Sequence, residues 1–319
     1  MSEGAYDRRR SARLRKLARW AGYLVAAACI AVMGVRVVER SSRIRDVEWR
    51  IGWQTPAAIG CVMCGQVASA GITYLWLLSL GAKPDWSRVM SIHLTAQPLK
   101  YLPIGGVFNL VGQTTGLGQL PGVGLPRAAL AVGLMQAVVI AGGAAWYGVT
   151  LCLRSRDFIG LGMLLIGILP LMLLGVSRFR FWRTILLRRF MRNRDGEDHV
   201  DLRIGADLQK LVAIGLLALI AWGAFGLSLV LITSQLTVVS VETAIALSGA
   251  MAAAWLAGFL SMVAPAGIGV RDVTMMALLG PIVGDPYSVV VSVISRVLWT
   301  LADLCSFVVG ILFPRLRSS

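Results

Sequence analysis

Apolar runs of about twenty residues, separated by short polar or basic stretches, recur along the whole chain. They lie at about Trp20 to Val38, Ala57 to Leu80, Ala128 to Leu153, Phe158 to Val176, Leu208 to Ile232, Val239 to Met262 and Val289 to Phe313. Each matches or approaches the roughly 18 to 20 residues that a helix needs to cross a bilayer. Two further stretches, Met90 to Leu120 and Val263 to Val283, are apolar on average but interrupted. The first contains Pro98, Pro103, Gly105 and Gly106, and the second Pro265, Gly267 and Gly269. Proline removes a helical donor and glycine opens backbone angles closed to other residues, so both read as broken helices. The pattern predicts an all-α, polytopic helical membrane protein of about seven to eight spans with two Pro/Gly-broken, re-entrant segments.

The polar residues left inside this apolar sequence are few, and they cluster at the breaks. Before the first break His93, Gln97 and Lys100 recur at i, i+4 and i+7, one face of a helix; after it Asn109 and Gln113 do the same. His93 reads as a hydrogen-bonded structural residue. Lys100 is harder to place, since burying an ammonium costs several kcal/mol unless it is paired or meets an anion. At the second break Arg271 and Asp272 open a new helix near Val270, whose N-terminus favours an anion. The last span carries Arg296 and Asp303 on one face. Arg296 either pairs with Asp272 or Asp303 to lock helices together or faces a ligand; the sequence leaves both open.

Composition sets the class. Hydrophobic residues make up 57% of the 319, and the mean hydropathy is +0.74. The net charge of +15 sits in tails and connecting loops, where a membrane protein meets anionic headgroups. Nucleic acid is excluded as a partner, because the Arg residues flank apolar spans and do not line a groove of stacking aromatics. The five cysteines lie in or near apolar spans as small hydrophobes, and the spacing of Cys61 and Cys64 lacks a second pair or a histidine to hold metal. No cofactor or metal is expected, and no P-loop is present.

The chain divides into a basic, cytoplasmic N-terminal tail (1–19), a first membrane half (20–176, with broken segment 90–120), a basic loop (177–207), a second half (208–313, with broken segment 263–283) and a short tail (314–319). Arg178 to Arg194 alternates Arg with Phe, Trp, Leu and Met, as an interfacial helix on an anionic leaflet would. Broken segments in corresponding places of two halves point to a transporter's binding site. Keeping the N-terminus and the basic loop in the cytoplasm requires segment 90–120 to re-enter, and it leaves Arg40, Arg43, Arg45 and Arg50 outside. If the second broken segment also re-enters, the C-terminus is outside; if it crosses, Arg315 and Arg317 are inside.

The stretch LKYLPIGGVFNLVGQ resembles a Gly-Lys-Tyr-hydrophobic-Pro-Gly run leading to Val-Gly-Arg, and PAGIGVRD resembles a Pro-Gly-Gly-Leu-Gly-Val-Arg-Glu signature. Both belong to the membrane region of the lysylphosphatidylglycerol synthases and its stand-alone, flippase-like relatives, in which an Arg follows where Arg296 stands. Leu99, Ile104, Gln113, Ala266 and Asp272 depart from the family residues. The resemblance implies a multi-pass protein of the bacterial inner membrane that translocates or presents an anionic or aminoacylated phospholipid, and no enzyme. It implies a lipid site built from Lys100, Tyr101, Pro103, Gly105, Gly106, Asn109, Gln113, Pro265, Gly267, Gly269, Arg271, Asp272, Arg296 and Asp303. Partners would be membrane lipids with anionic headgroups, with a second copy of the chain or a membrane or cytoplasmic enzyme left open. The alternatives are a membrane-embedded transferase acting on a polyprenyl-phosphate or glycolipid, and a non-catalytic subunit supporting a lipid or cell-envelope enzyme.

Overall fold

The computed structural model describes residues 51–102, 105–155, 207–261 and 267–316, with isolated positions between 28 and 47. The predicted spans at 20–38 and 158–176 and the Arg-rich stretch at 178–194 lie outside or largely outside the described residues. The elements are α1 (Gln54–Ser79), α2 (Trp86–Thr95), a 3-10 turn (Gln97–Tyr101), α3 (Gly105–Gly118), α4 (Gly124–Ser155), α5 (Leu208–Ser234), α6 (Val241–Leu260), α7 (Val270–Val283) and α8 (Tyr287–Leu316). Among the described residues all regular structure is helical. Five helices, α1, α4, α5, α6 and α8, are long and apolar enough to cross a membrane.

The order α1 to α4 is repeated as α5 to α8. The long opening helices have 26 and 27 residues, the helices after each break have 14 and 14, and the closing helices have 32 and 30. Connecting loops 80–85 and 235–240 match in length, as do breaks 96–104 and 261–269. α1 and α5 form the most extensive pair and run antiparallel: Thr55 Oγ1 donates to Gln235 Oε1 at 2.9 Å, Gly65 faces Phe225, and Gly71 faces Leu217. The second run is therefore the first turned upside down. Cross-packing is reciprocal. α8 lies on α2, with Gly310 against Ser91 and Thr95; α4 lies on α6, with Gly249 against Thr150 and Trp146 Nε1 donating to Ser248 Oγ at 2.8 Å. The repeats differ most at α2 and α6, of 10 and 20 residues.

Packing, not polarity, separates inside from outside. Helices in lipid gain little from apolar burial against one another, so close contact comes from small residues. A Cβ at Gly65 would fall 2.2 Å from the Phe225 ring, and one at Gly143 would fall 2.5 Å from the Trp222 ring. Trp222 is buried there, its Nε1 donating to Val139 O at 3.0 Å and its ring edge-on to Phe225 and Trp255. The outer face of α8 is apolar (Val293, Val297, Leu301, Leu304, Val308), whereas its inner face buries Ser292, Ser295, Asp303 and Ser306. The same helix also buries Leu298, Trp299 and Ala302, so its polar residues are confined to the inside, which suits a helix with lipid on the other side.

Candidate functional site: a buried cation cluster at the centre of α8

The first break is a hairpin. α2 stops at Thr95, and Pro98, which lacks an N–H, sits at the start of the 3-10 turn that follows. His93 stands on the α-helix and Gln97 and Lys100 on the tighter turn, with Gln97 Nε2 donating back to His93 O at 3.2 Å. The chain then doubles back. Gly116 of α3 packs on Ile92 and Gly112 on Leu99 and Ala96, so α2 and α3 run antiparallel. The two polar faces meet across the hairpin. Asn109 Nδ2 donates to Ala96 O at 2.7 Å, Gln113 Nε2 donates to Asn109 Oδ1 at 2.7 Å, and Gln113 Oε1 lies 3.0 Å from His93 Nδ1. With the Gln113 amide oriented this way, Nδ1 is the imidazole donor. Replacing Gln113 by Leu leaves buried donors and acceptors without partners, which costs about 1–3 kcal/mol. The expected outcome is a lower thermal-unfolding midpoint in detergent; an unchanged midpoint would show that the ladder does not hold the hairpin.

The turn of that hairpin delivers Lys100 and Tyr101 to the middle of α8. Asp303, fully buried, takes Lys100 Nζ on Oδ1 at 2.8 Å, Gln66 Nε2 of α1 on the same oxygen at 2.7 Å, and the Tyr101 hydroxyl on Oδ2 at 2.5 Å. Gln66 Oε1 in turn accepts from Ser306 Oγ, and Lys100 reaches Gln97 Oε1 at 3.4 Å. One carboxylate thus ties α1, the first break and α8 together.

The second break meets α8 about one to three turns before Asp303. Gly267 and Gly269 have φ of 67° and 85°, left-handed backbone that glycine adopts without strain. Gly267 also presses against the backbone of Gly258 in α6, where a Cβ would fall 2.9 Å from Gly258 Cα. Asp272 accepts from Gly269 N at 3.0 Å, so the positive N-terminus of α7 is capped by the chain's own carboxylate. Asp272 O accepts from Ser292 Oγ at 3.2 Å, which pins α7 to α8. Arg271, 8% exposed, lays its guanidinium over the Trp299 ring at 4.0 Å from the centroid and donates through Nη2 to Met251 Sδ at 3.4 Å. Lys100 Nζ lies 5.9 Å from the same ring. Arg296, half-buried one turn before Trp299, is close enough to repel both.

Of the residues singled out in the sequence, Lys100, Tyr101, Arg271, Arg296 and Asp303 converge. Asp272 stands beside them with its carboxylate accepting from Gly269 N, and Asp303 takes Lys100. Asn109 and Gln113 belong to the hairpin ladder. Gly105 and Gly106 open α3, with open space beside Gly106; Pro103 and Pro265 lie outside the described residues. Glu242 is exposed in the first turn of α6. Sequence reading missed Gln66, Trp299 and Met251. Gln66 carried a usable signal, an amide in the middle of an apolar span; Trp299 and Met251 carried none. Three cations, Lys100, Arg271 and Arg296, thus gather near Asp303, Asp272 and the Trp299 and Tyr101 rings. No protein-family model and no curated protein matches the chain, so the reading of its function begins from this geometry.

Proposed function

We propose that the protein is a flippase-like membrane protein of the bacterial inner membrane that translocates or presents an anionic or aminoacylated phospholipid, with Lys100, Arg271 and Arg296 receiving the headgroup. The observation that carries this reading is the position of the cations. Asp303 is near the middle of α8, a helix of 30 residues and about 45 Å, so the cluster sits deep within an apolar span. Charge at that depth is costly and marks substrate pathways by default. Inverted repeats whose broken segments meet at mid-span are the architecture in which transporters place their sites.

The α2–α3 hairpin re-enters on this reading, since α2 is about 15 Å and α3 about 21 Å long, each short of the roughly 30 Å hydrocarbon layer. The resemblance of PAGIGVRD to the flippase-like signature supports the same class, with the N-terminus in the cytoplasm. The test is native mass spectrometry of protein extracted from its own membranes, wild type beside Arg271→Ala. One anionic or aminoacylated lipid should be enriched in the wild type and lost from a variant that still inserts. Identical lipid profiles that merely mirror the membrane would sink the proposal.

A further inference from the structure

Trp299 is 3% exposed, and its indole N–H has no hydrogen-bond partner among the described residues. The chain satisfies indoles elsewhere: Trp222 donates to Val139 O and Trp146 to Ser248 Oγ. A buried N–H with no acceptor is uncommon in folded proteins, and one in an apolar span has no water to turn to. Trp76 is the other buried indole without an acceptor among the described residues, and no cation stacks on it. At Trp299 two features coincide. The unused donor belongs to the ring that Arg271 covers at 4.0 Å and Lys100 approaches at 5.9 Å, on the helix that also carries Arg296 and Asp303.

We infer that Trp299 is a specificity-determining residue of the cation cluster, its indole N–H donating to a phosphate oxygen of the bound headgroup while its π face holds Arg271 in position. This inference rests on the lipid-headgroup reading above. A phosphate diester fits the combination better than a simple anion. Its two non-bridging oxygens point in different directions, so one can meet a guanidinium and the other a neutral, strictly directional donor. Arg and Lys attract any anion; the indole N–H adds a geometric requirement. Cation–π contact with Trp also fixes the guanidinium without neutralising it, which leaves its charge for the ligand.

Trp299→Phe isolates the donor, because it keeps an aromatic face for Arg271 and removes only the N–H. Full-length wild type, Trp299→Phe and Trp299→His would be titrated in detergent with phosphatidylglycerol, with diacylglycerol as a phosphate-free reference and with inorganic phosphate as competitor. Phosphatidylglycerol retention should weaken about tenfold in Trp299→Phe, the loss of one hydrogen bond to a charged group, with diacylglycerol unchanged, and Trp299→His should recover part of it. Wild-type retention in Trp299→Phe would overturn the inference, as would parallel losses of phosphatidylglycerol and diacylglycerol. Displacement of phosphatidylglycerol by equimolar inorganic phosphate would overturn the lipid as the source of the phosphate. A wild type that retains no phosphatidylglycerol above diacylglycerol fails the headgroup reading itself, a result distinct from any effect of the variants.

Discussion

Asp303→Ala is expected to destabilise the protein by about 3 kcal/mol, the low end for a broken buried ion pair because Lys100 keeps 23% of its side-chain exposure. Removing the carboxylate takes an acceptor from three donors at once: the Gln66 amide, the Lys100 ammonium, left with Gln97 Oε1 at 3.4 Å, and the Tyr101 hydroxyl, left with Thr300 Oγ1 at 3.2 Å. The ammonium dominates, since it sits beside Arg271 and Arg296 with no other carboxylate bound to it. Lys100→Met should cost less than Asp303→Ala, because the remaining carboxylate keeps two donors. Asp303→Leu, made alone and together with Lys100→Met, closes the cycle, and the pair should recover part of the loss, as apolar replacement of a buried pair often does. Thermal unfolding in detergent across this double-mutant cycle measures the coupling. Strictly additive losses would show that the ion pair contributes nothing beyond its separate side chains.

Gly267→Ala should be nearly as damaging, through backbone and not charge. Its φ of 67° is a conformation that costs an L-residue about 1–2 kcal/mol. The added Cβ would also fall 2.9, 3.1 and 3.2 Å from the Cα, C and O of Gly258, main-chain atoms that cannot rotate away. Separating α6 from the entry to α7 adds about 1–3 kcal/mol of overpacking strain. Arg271 is four residues on, so the same change should pull its guanidinium off Trp299 and weaken lipid retention. Gly133→Ala in α4 is the contrast: nothing lies within 4 Å of its Cβ position, and a mid-helix alanine there should stabilise by about 0.5–1 kcal/mol. Unfolding midpoints that move the same way for both variants would refute the backbone argument at Gly267.

The charged members of the site were legible in the sequence because an apolar span leaves a Lys, Arg or Asp nowhere to go unnoticed. Lys100, Arg271, Arg296 and Asp303 were found on that ground alone. Their partners were not legible. Which carboxylate takes Lys100 depends on how far a 3-10 turn swings the chain after Pro98, a difference of about 20° per residue from an α-helix that periodicity does not carry. Gln113 entered the site through the family resemblance and shares a polar helical face with Asn109; its amide joins the His93 and Asn109 ladder. Trp299 was invisible for a different reason: in a span rich in large apolar residues a tryptophan is unremarkable until its neighbours are known. The long helices were placed within a few residues, and the matched lengths of the two runs emerged only once their ends were fixed.

The inverted repeat also bears on how the chain is oriented when it is made. α1 and α5 are antiparallel, so their N-terminal ends open toward opposite sides of the bilayer. Basic chain leads into both: Arg43, Arg45 and Arg50 shortly before α1, and Arg192, Arg194 and Arg203 shortly before α5. Whichever way the protein is inserted, one of these basic approaches is on the side that the charge bias disfavours. The two arginine clusters thus pull the orientation in opposite directions. Charge substitutions in these two approaches are therefore where a change of orientation would be sought first.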